Sequence, residues 1–156
     1  MADKPVFLTP EGLKKLEDEL DYLETEKRAQ VAARIQSAKD EGDISENAEY
    51  DDAKQEQAFV EGRIMTVRAM LSNSQIIEER GPSEEVHLGS RVTVQENGAS
   101  SPEVYHIVGS AEADPIAGRI SNESPIGRAL IGQRVHSVIS YTAPVGEIHL
   151  TILSIE

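Results

Sequence analysis

The chain has 156 residues, with no cysteine, no tryptophan, two phenylalanines and four tyrosines, and 28 acids against 15 Lys and Arg give a formal net charge of −13. The lack of cysteine excludes disulfides, thiolate metal sites and a cysteine nucleophile, and the few aromatics leave only an aliphatic core. The acidic balance argues against a broad grip on duplex phosphates. No apolar run approaches the ~20 residues of a membrane span, and the opening stretch lacks the apolar segment of a signal peptide. A reducing cytoplasm suits this composition, and no membrane association is expected.

The texture changes near residue 75. Residues 9–74 hold no proline after Pro10 and are rich in Ala, Glu, Lys, Leu and Gln, the good helix formers. The first helix should start at Thr9, an N-cap, with Pro10 at the first helical position and Glu11 at the positive end of the dipole. Leu8 and Leu13 stand where a hydrophobic staple would place them. The apolar positions then run Leu13, Leu16, Leu20, Leu23, and after a gap at Lys27, Val31, Ile35 and Ala38. This is a seven-residue repeat interrupted once.

A second stripe follows at Ala53, Gln57, Val60, Ile64, Val67 and Leu71. Between the stripes, Gly42 can stop one helix and Asp43 or Ser45 can cap the next. A short connection makes the helices antiparallel neighbours. Residues 1–75 are therefore expected to contain an antiparallel coiled-coil hairpin, with arms of about 30 residues or roughly 45 Å. The stripes are narrow, and no third long helix is available to complete a bundle. The hairpin should project, with its tip as the working end.

Acids concentrate at that tip. Asp40, Glu41, Asp43, Glu46, Glu49, Asp51 and Asp52 fall within residues 40–52, with no base among them. Lys39 and Lys54 flank the cluster. Ile44 is an apolar residue kept at the tip, which suggests docking. A solvated turn with acids at a helix N-terminus would show the same composition. Carboxylates are also hard oxygen ligands suited to Mg²⁺. Asp43 and Glu46 are three apart, which fits a shared ligand pair and equally fits a capping box. Two carboxylates make a weak Mg²⁺ site by themselves, so the tip reads as half of a site. Lys39 has no acid three or four residues behind it and only Asp43 four ahead, past the Gly42 break, whereas Lys54 has Asp51 three behind; ordinary pairing and a functional role stand equally for both. Ser45 and Asn47 read as turn and capping residues, and Tyr50 as a packing residue.

Residues 76–156 read as a small β-rich domain. Strands are expected at 76–79, 90–95, 104–108, 119–121, 135–141 and 147–155, from alternation and β-branched content. Asn97-Gly98 and Val145-Gly146 mark turns. Ser124 with Pro125 should open one short helix, running to about Leu130 and stopped by Gly132. His87, His106, His136 and His149 show no ligand-like spacing. Neither G-x-S-x-G nor a P-loop is present.

The run Glu41-Gly42-Asp43-Ile44-Ser45-Glu46-Asn47-Ala48-Glu49-Tyr50 resembles the tip signature of the bacterial Gre factors, transcript-cleavage elongation factors, and most closely the GreA type. The resemblance covers nearly the whole chain. It includes Leu8-Thr9-Pro10-Glu11-Gly12, Glu61-Gly62-Arg63-Ile64, the junction Leu71–Ile77, Tyr105–Gly109 and Ser124–Gly132.

The resemblance implies an α+β chain: the hairpin, then an FKBP-like antiparallel β-rich domain at 76–156. It implies that the hairpin enters the secondary channel of RNA polymerase. Asp43 and Glu46 would there be the catalytic pair, sharing a Mg²⁺ that the polymerase completes and the chain does not hold stably by itself. Lys39 and Lys54 would face the nascent RNA 3′ segment. Glu112, Asp114, Ser124, Pro125, Ile126 and Arg128 would dock the β domain on the polymerase. The chain would act as a monomer and as an activator of the polymerase's own cleavage, not as a free-standing nuclease.

Three other readings remain. A relative could enter the same channel as an inhibitor, though such relatives lack this tip pattern. The hairpin could be a coiled-coil adaptor with an incidental acidic turn. The FKBP-like fold raises prolyl isomerisation, but Tyr105 and Tyr141 are too few to line an aromatic pocket, and a fold does not confer its relatives' activity.

Overall fold

The computed structural model describes residues 4–42, 47–78 and 81–156. In chain order these form β1 (Val6–Leu8), α1 (Pro10–Tyr22), a π-helical turn (Leu23–Lys27), α2 (Arg28–Asp40), α3 (Ala48–Ser72) and β2 (Ser74–Ile76). Then come β3 (Arg91–Glu96), β4 (Glu103–Val108), two 3₁₀ turns (Ser110–Glu112 and Pro115–Ala117), β5 (Arg119–Ser121), α4 (Pro125–Leu130), β6 (Val138–Ala143) and β7 (Gly146–Ile155). The chain thus has a long N-terminal helical hairpin and a C-terminal β-rich domain with one short helix. It packs as two units, Leu13–Asn73 and a second made of Ser74–Glu156 with the residues up to Gly12.

The hairpin unit is held by the two apolar stripes. Leu23, Val31 and Ile35 pack with Ala53, Val60 and Ile64, and Leu20 and Tyr50 close the ends of the cluster. Ala38 and Val67 are also buried. Each aliphatic side chain so buried contributes about 1.5–3 kcal/mol. Ion pairs run along the flanks: Glu19 with Arg63, Glu24 with Arg68, Lys27 and Arg34 with Glu56, and Arg28 with Glu61. Early residues pair with late ones, which fixes the helices as antiparallel. α3 is 25 residues long, somewhat shorter than the arm expected from sequence.

The π-helical turn explains the break in the repeat. Leu23 and Val31 are eight apart, one residue more than a heptad. A π turn closes i→i+5 and absorbs one extra residue. Leu23 and Val31 therefore both stay in the seam, and both are buried. Lys27 lies to the side, with its ammonium 2.7 Å from Glu56.

The β unit is a five-stranded sheet in the order β5-β4-β3-β7-β6. Its pairs are antiparallel except β4 with β5, which are parallel. The expected antiparallel sheet thus has one parallel edge pair. The two 3₁₀ turns carry the chain back from the end of β4, so β5 starts again alongside it. Alternate residues Val92 and Val94, Leu150 and Ile152, with Ile107, Ile120, Ile139 and Leu130 of α4, make the core.

One strand pair was not legible in the sequence. β1 pairs in parallel with β2, Val6 to Ser74 through Leu8 to Ile76. Ile77 N–H then donates to the Leu8 carbonyl at 2.7 Å. This pairing is why the first twelve residues group with Ser74–Glu156 and not with the hairpin, a different division from 1–75 and 76–156. Three residues of strand after a charged start show too little alternation to be read.

Candidate functional site

The hairpin turn is built from both helix ends. α2 stops at Asp40, and Gly42 follows with φ +133°, a left-handed conformation that glycine adopts without strain. Of the capping residues expected from sequence, Asn47 is the one that caps α3, rather than Asp43 or Ser45. The Asn47 side chain accepts from the Tyr50 N–H at 3.1 Å and donates to the Ala38 carbonyl at 2.7 Å. One side chain thus caps the second helix and ties it to an open carbonyl of the first. Tyr50 is half-buried against the hairpin core, which favours packing over base stacking. Asp43, Ile44, Ser45 and Glu46 lie outside the described residues.

The described acids of the cluster are partly engaged. Glu49 pairs with Arg34 at 3.4 Å, and Asp40 accepts from Gln36 at 3.0 Å. Among the described residues no three His, Asp or Glu side chains are placed to hold a metal ion. The flanking lysines are exposed. The Lys54 ammonium reaches the neutral Gln57 side chain at 2.9 Å, not Asp51. Neither Lys39 nor Lys54 forms an ion pair among the described residues.

Further along the hairpin the carboxylates are held ionised. The Arg63 guanidinium grips Glu19 through two bonds of 2.6 and 2.9 Å and keeps its carboxyl below the ordinary range. Hydrogen bonds from Lys27 and Arg34 do the same to Glu56, and those from Arg28 to Glu61. Two-pronged Arg–carboxylate pairs are the stronger kind of exposed ion pair.

The residues expected to dock gather around β5, but in different states. Ser124 caps α4: its hydroxyl accepts from the Gly127 N–H at 3.1 Å and donates to the Ser121 carbonyl at 2.7 Å. Pro125 and Arg128 are exposed on that helix, whereas Ile126 packs on the core. Asp114 pairs its backbone with Arg119 at 2.8 and 3.0 Å. Glu112 is engaged within the chain. Its carboxylate accepts from the Thr9 N–H at 2.7 Å and from the Thr9 hydroxyl at 2.6 Å, and the same hydroxyl accepts from the Gly12 N–H at 3.0 Å. A Cβ on Gly12 would lie 2.2 Å from that carboxylate carbon, so Gly12 leaves room for the lock. Sequence gave no sign of a contact spanning 103 residues.

Sequence reasoning passed over Ile116. It is fully exposed in the turn after Asp114. A lone Ile in a loop is ordinary in a sequence. The Tyr105 and Tyr141 hydroxyls are both pushed up by burial, and Tyr105 also by its bond to Glu103. Both rings pack on the core from β4 and β6.

Among the described residues no helix is long and apolar enough to cross a membrane. A family model described as "Transcription elongation factor, N-terminal" matches residues 6–76, and one described as "Transcription elongation factor, GreA/GreB, C-term" matches residues 81–156. Transcription elongation factor GreA of Thermoanaerobacter pseudethanolicus is 54% identical over 97% of this chain and 98% of its own length. Transcription elongation factor GreA of Bacillus subtilis strain 168 is 51% identical, with 99% of each chain covered. Among solved structures, GreA factor homolog 1 (Gfh1) of Thermus thermophilus is 29% identical, covers 98% of this chain and 99% of its own, and has a TM-score of 0.45. With both models matched end to end and relatives above half identity, the chain belongs to the GreA/GreB family of transcription elongation factors.

Proposed function

We propose that this elongation factor inserts its hairpin tip into the secondary channel of RNA polymerase and stimulates the polymerase's own Mg²⁺-dependent cleavage of backtracked transcripts. The observation that carries this is the sequence Gly42-Asp43-Ile44-Ser45-Glu46-Asn47-Ala48-Glu49-Tyr50, which runs from just after α2 into the first residues of α3. Asp43 and Glu46 would supply two carboxylates to a Mg²⁺ that the polymerase completes. The donor set fits: all oxygen, no sulfur, and too few ligands for a private site. When bound beside the Mg²⁺ that the polymerase itself holds, this ion would supply half of a two-metal clamp on the attacking and leaving oxygens of an in-line displacement. The chain's own part is to present the carboxylates and help orient the water.

Lys39 and Lys54, without carboxylate partners among the described residues, would meet the phosphates of the extruded RNA. Asn47 would hold the turn in register by tying both helix ends. Pro125, Arg128 and Asp114, with the exposed Ile116, would form the docking face of the β unit on the polymerase. The retained Asp-x-x-Glu pattern favours an activator over a channel inhibitor.

The test is to add the chain to stalled polymerase complexes carrying end-labelled RNA. The expected result is Mg²⁺-dependent release of a short 3′ fragment followed by resumed elongation, with free RNA untouched. Slowed elongation without cleavage would support the inhibitor reading instead. Cutting of free RNA would contradict the activator role.

A further inference from the structure

The β unit carries a second charged feature, unrelated to the hairpin tip. In the sheet ladder Arg91 of β3 lies opposite His106 of β4, and His106 lies opposite Arg119 of β5. Neighbouring strands run ~4.8 Å apart, and opposed residues share a face. The three side chains therefore form one row across three strands. Their sequence neighbours Val92, Ile107 and Ile120 point the other way, into the core. All three line a single cavity of about 260 Å³.

The arginines of this row lack anionic partners. Among the described residues neither Arg91 nor Arg119 forms an ion pair. The Arg119 Nε is buried and meets no hydrogen-bond acceptor. A buried guanidinium N–H without an acceptor costs free energy. In a chain with 28 acids and 15 Lys and Arg, two unpaired arginines on one cavity are unusual. Glu11 and Glu112 also line the cavity, and both Glu112 oxygens already accept from Thr9.

We propose that the Arg91–His106–Arg119 row is a binding site for a small phosphate-class oxyanion. Two guanidinium groups, set on either side of His106 in the row, offer forked donors matched to a tetrahedral oxyanion. The cavity admits inorganic phosphate or a compact phosphoryl group. The two acids in the lining work against a long polyanion. A planar carboxylate has only two oxygens and cannot engage both arginines as fully.

The probe is inorganic phosphate titrated into the full chain at constant ionic strength, followed by the arginine Nε–H signals in nitrogen-edited NMR. Acetate is titrated in parallel. The expected result is a saturable shift of the Arg119 signal with phosphate and a weaker response to acetate. Arg91→Gln should weaken phosphate binding about tenfold or more. Arg119→Gln should do the same. Arg91 is exposed at the start of β3, so its variant keeps the test valid even if loss of Arg119 disturbs the short β5. Absence of saturable phosphate binding would overturn the proposal. So would binding unchanged in Arg91→Gln, or acetate binding as tight as phosphate.

Discussion

Single residues set the local geometry within each unit of this factor. Asn47 closes the hairpin turn, and Gly127 lets α4 lie against β5. A Cβ at Gly127 would stand 2.0 Å from the Ser121 carbonyl oxygen and 3.1 Å from the Asn122 Cα, both backbone atoms that cannot swing away. Gly127→Ala should therefore destabilise the β unit by about 1–3 kcal/mol, read as a lower urea midpoint with an unchanged slope. An unchanged midpoint would show that α4 can lift off the strand freely. Lys54 is the contrasting case. Its one described partner is Gln57, so Lys54→Ala should alter stability by no more than about 0.5 kcal/mol. Stimulated cleavage should fall nonetheless, and full activity at limiting factor concentration would remove Lys54 from the RNA-facing patch. Glu112 shows the limit of sequence at this scale: the family resemblance implies a docking residue, and only the folded chain brings Thr9 to its carboxylate.

At the scale of elements, the hairpin depends on a seam that tolerates one extra residue and on ion pairs beside it. The eight-residue step from Leu23 to Val31 was legible as an interruption, but its resolution as a π turn was not, because apolar spacing does not say which hydrogen bonds close. Deleting Thr25 should restore a plain heptad and change stability by no more than about 1 kcal/mol. Deleting Thr66 from the uninterrupted stripe of α3 should cost about 2 kcal/mol or more, since every later seam residue turns away by roughly 100°. Equal losses in thermal melts would refute the bulge account. The ion pairs make a pH prediction. Glu19, Glu56 and Glu61 are held below the ordinary carboxyl value of 4.5 by their basic partners. Their contribution is complete above that value and is lost as pH falls through their lowered folded values. Helicity of the hairpin should weaken in that acid window, and Glu19→Gln should make the fall shallower. An identical pH profile for wild type and variant would count against the pairing.

Across the whole molecule, the sequence revealed the hairpin and most strands because both rest on periodic burial. The seam residues Val31, Ile35, Ala53, Val60 and Ile64 and the alternation in β3 and β7 appear where spacing put them. What it hid is non-periodic: the parallel pairing of β1 with β2, the Glu112–Thr9 lock, and the Arg91–His106–Arg119 row, which exists only once three strands lie side by side. The tip motif was legible, since carboxylate identity and spacing are sequence properties, and the chemistry proposed for it rests on those two carboxylates. Its central claim is that Asp43 and Glu46 act in cleavage and not in binding. The direct measurement compares wild type with Asp43→Asn and Glu46→Gln on the same stalled complexes, recording polymerase affinity and cleavage rate together. The account predicts that affinity stays within about threefold while stimulated cleavage falls at least about a hundredfold, the scale of losing a transition-state contact. Undiminished cleavage in both variants would contradict it.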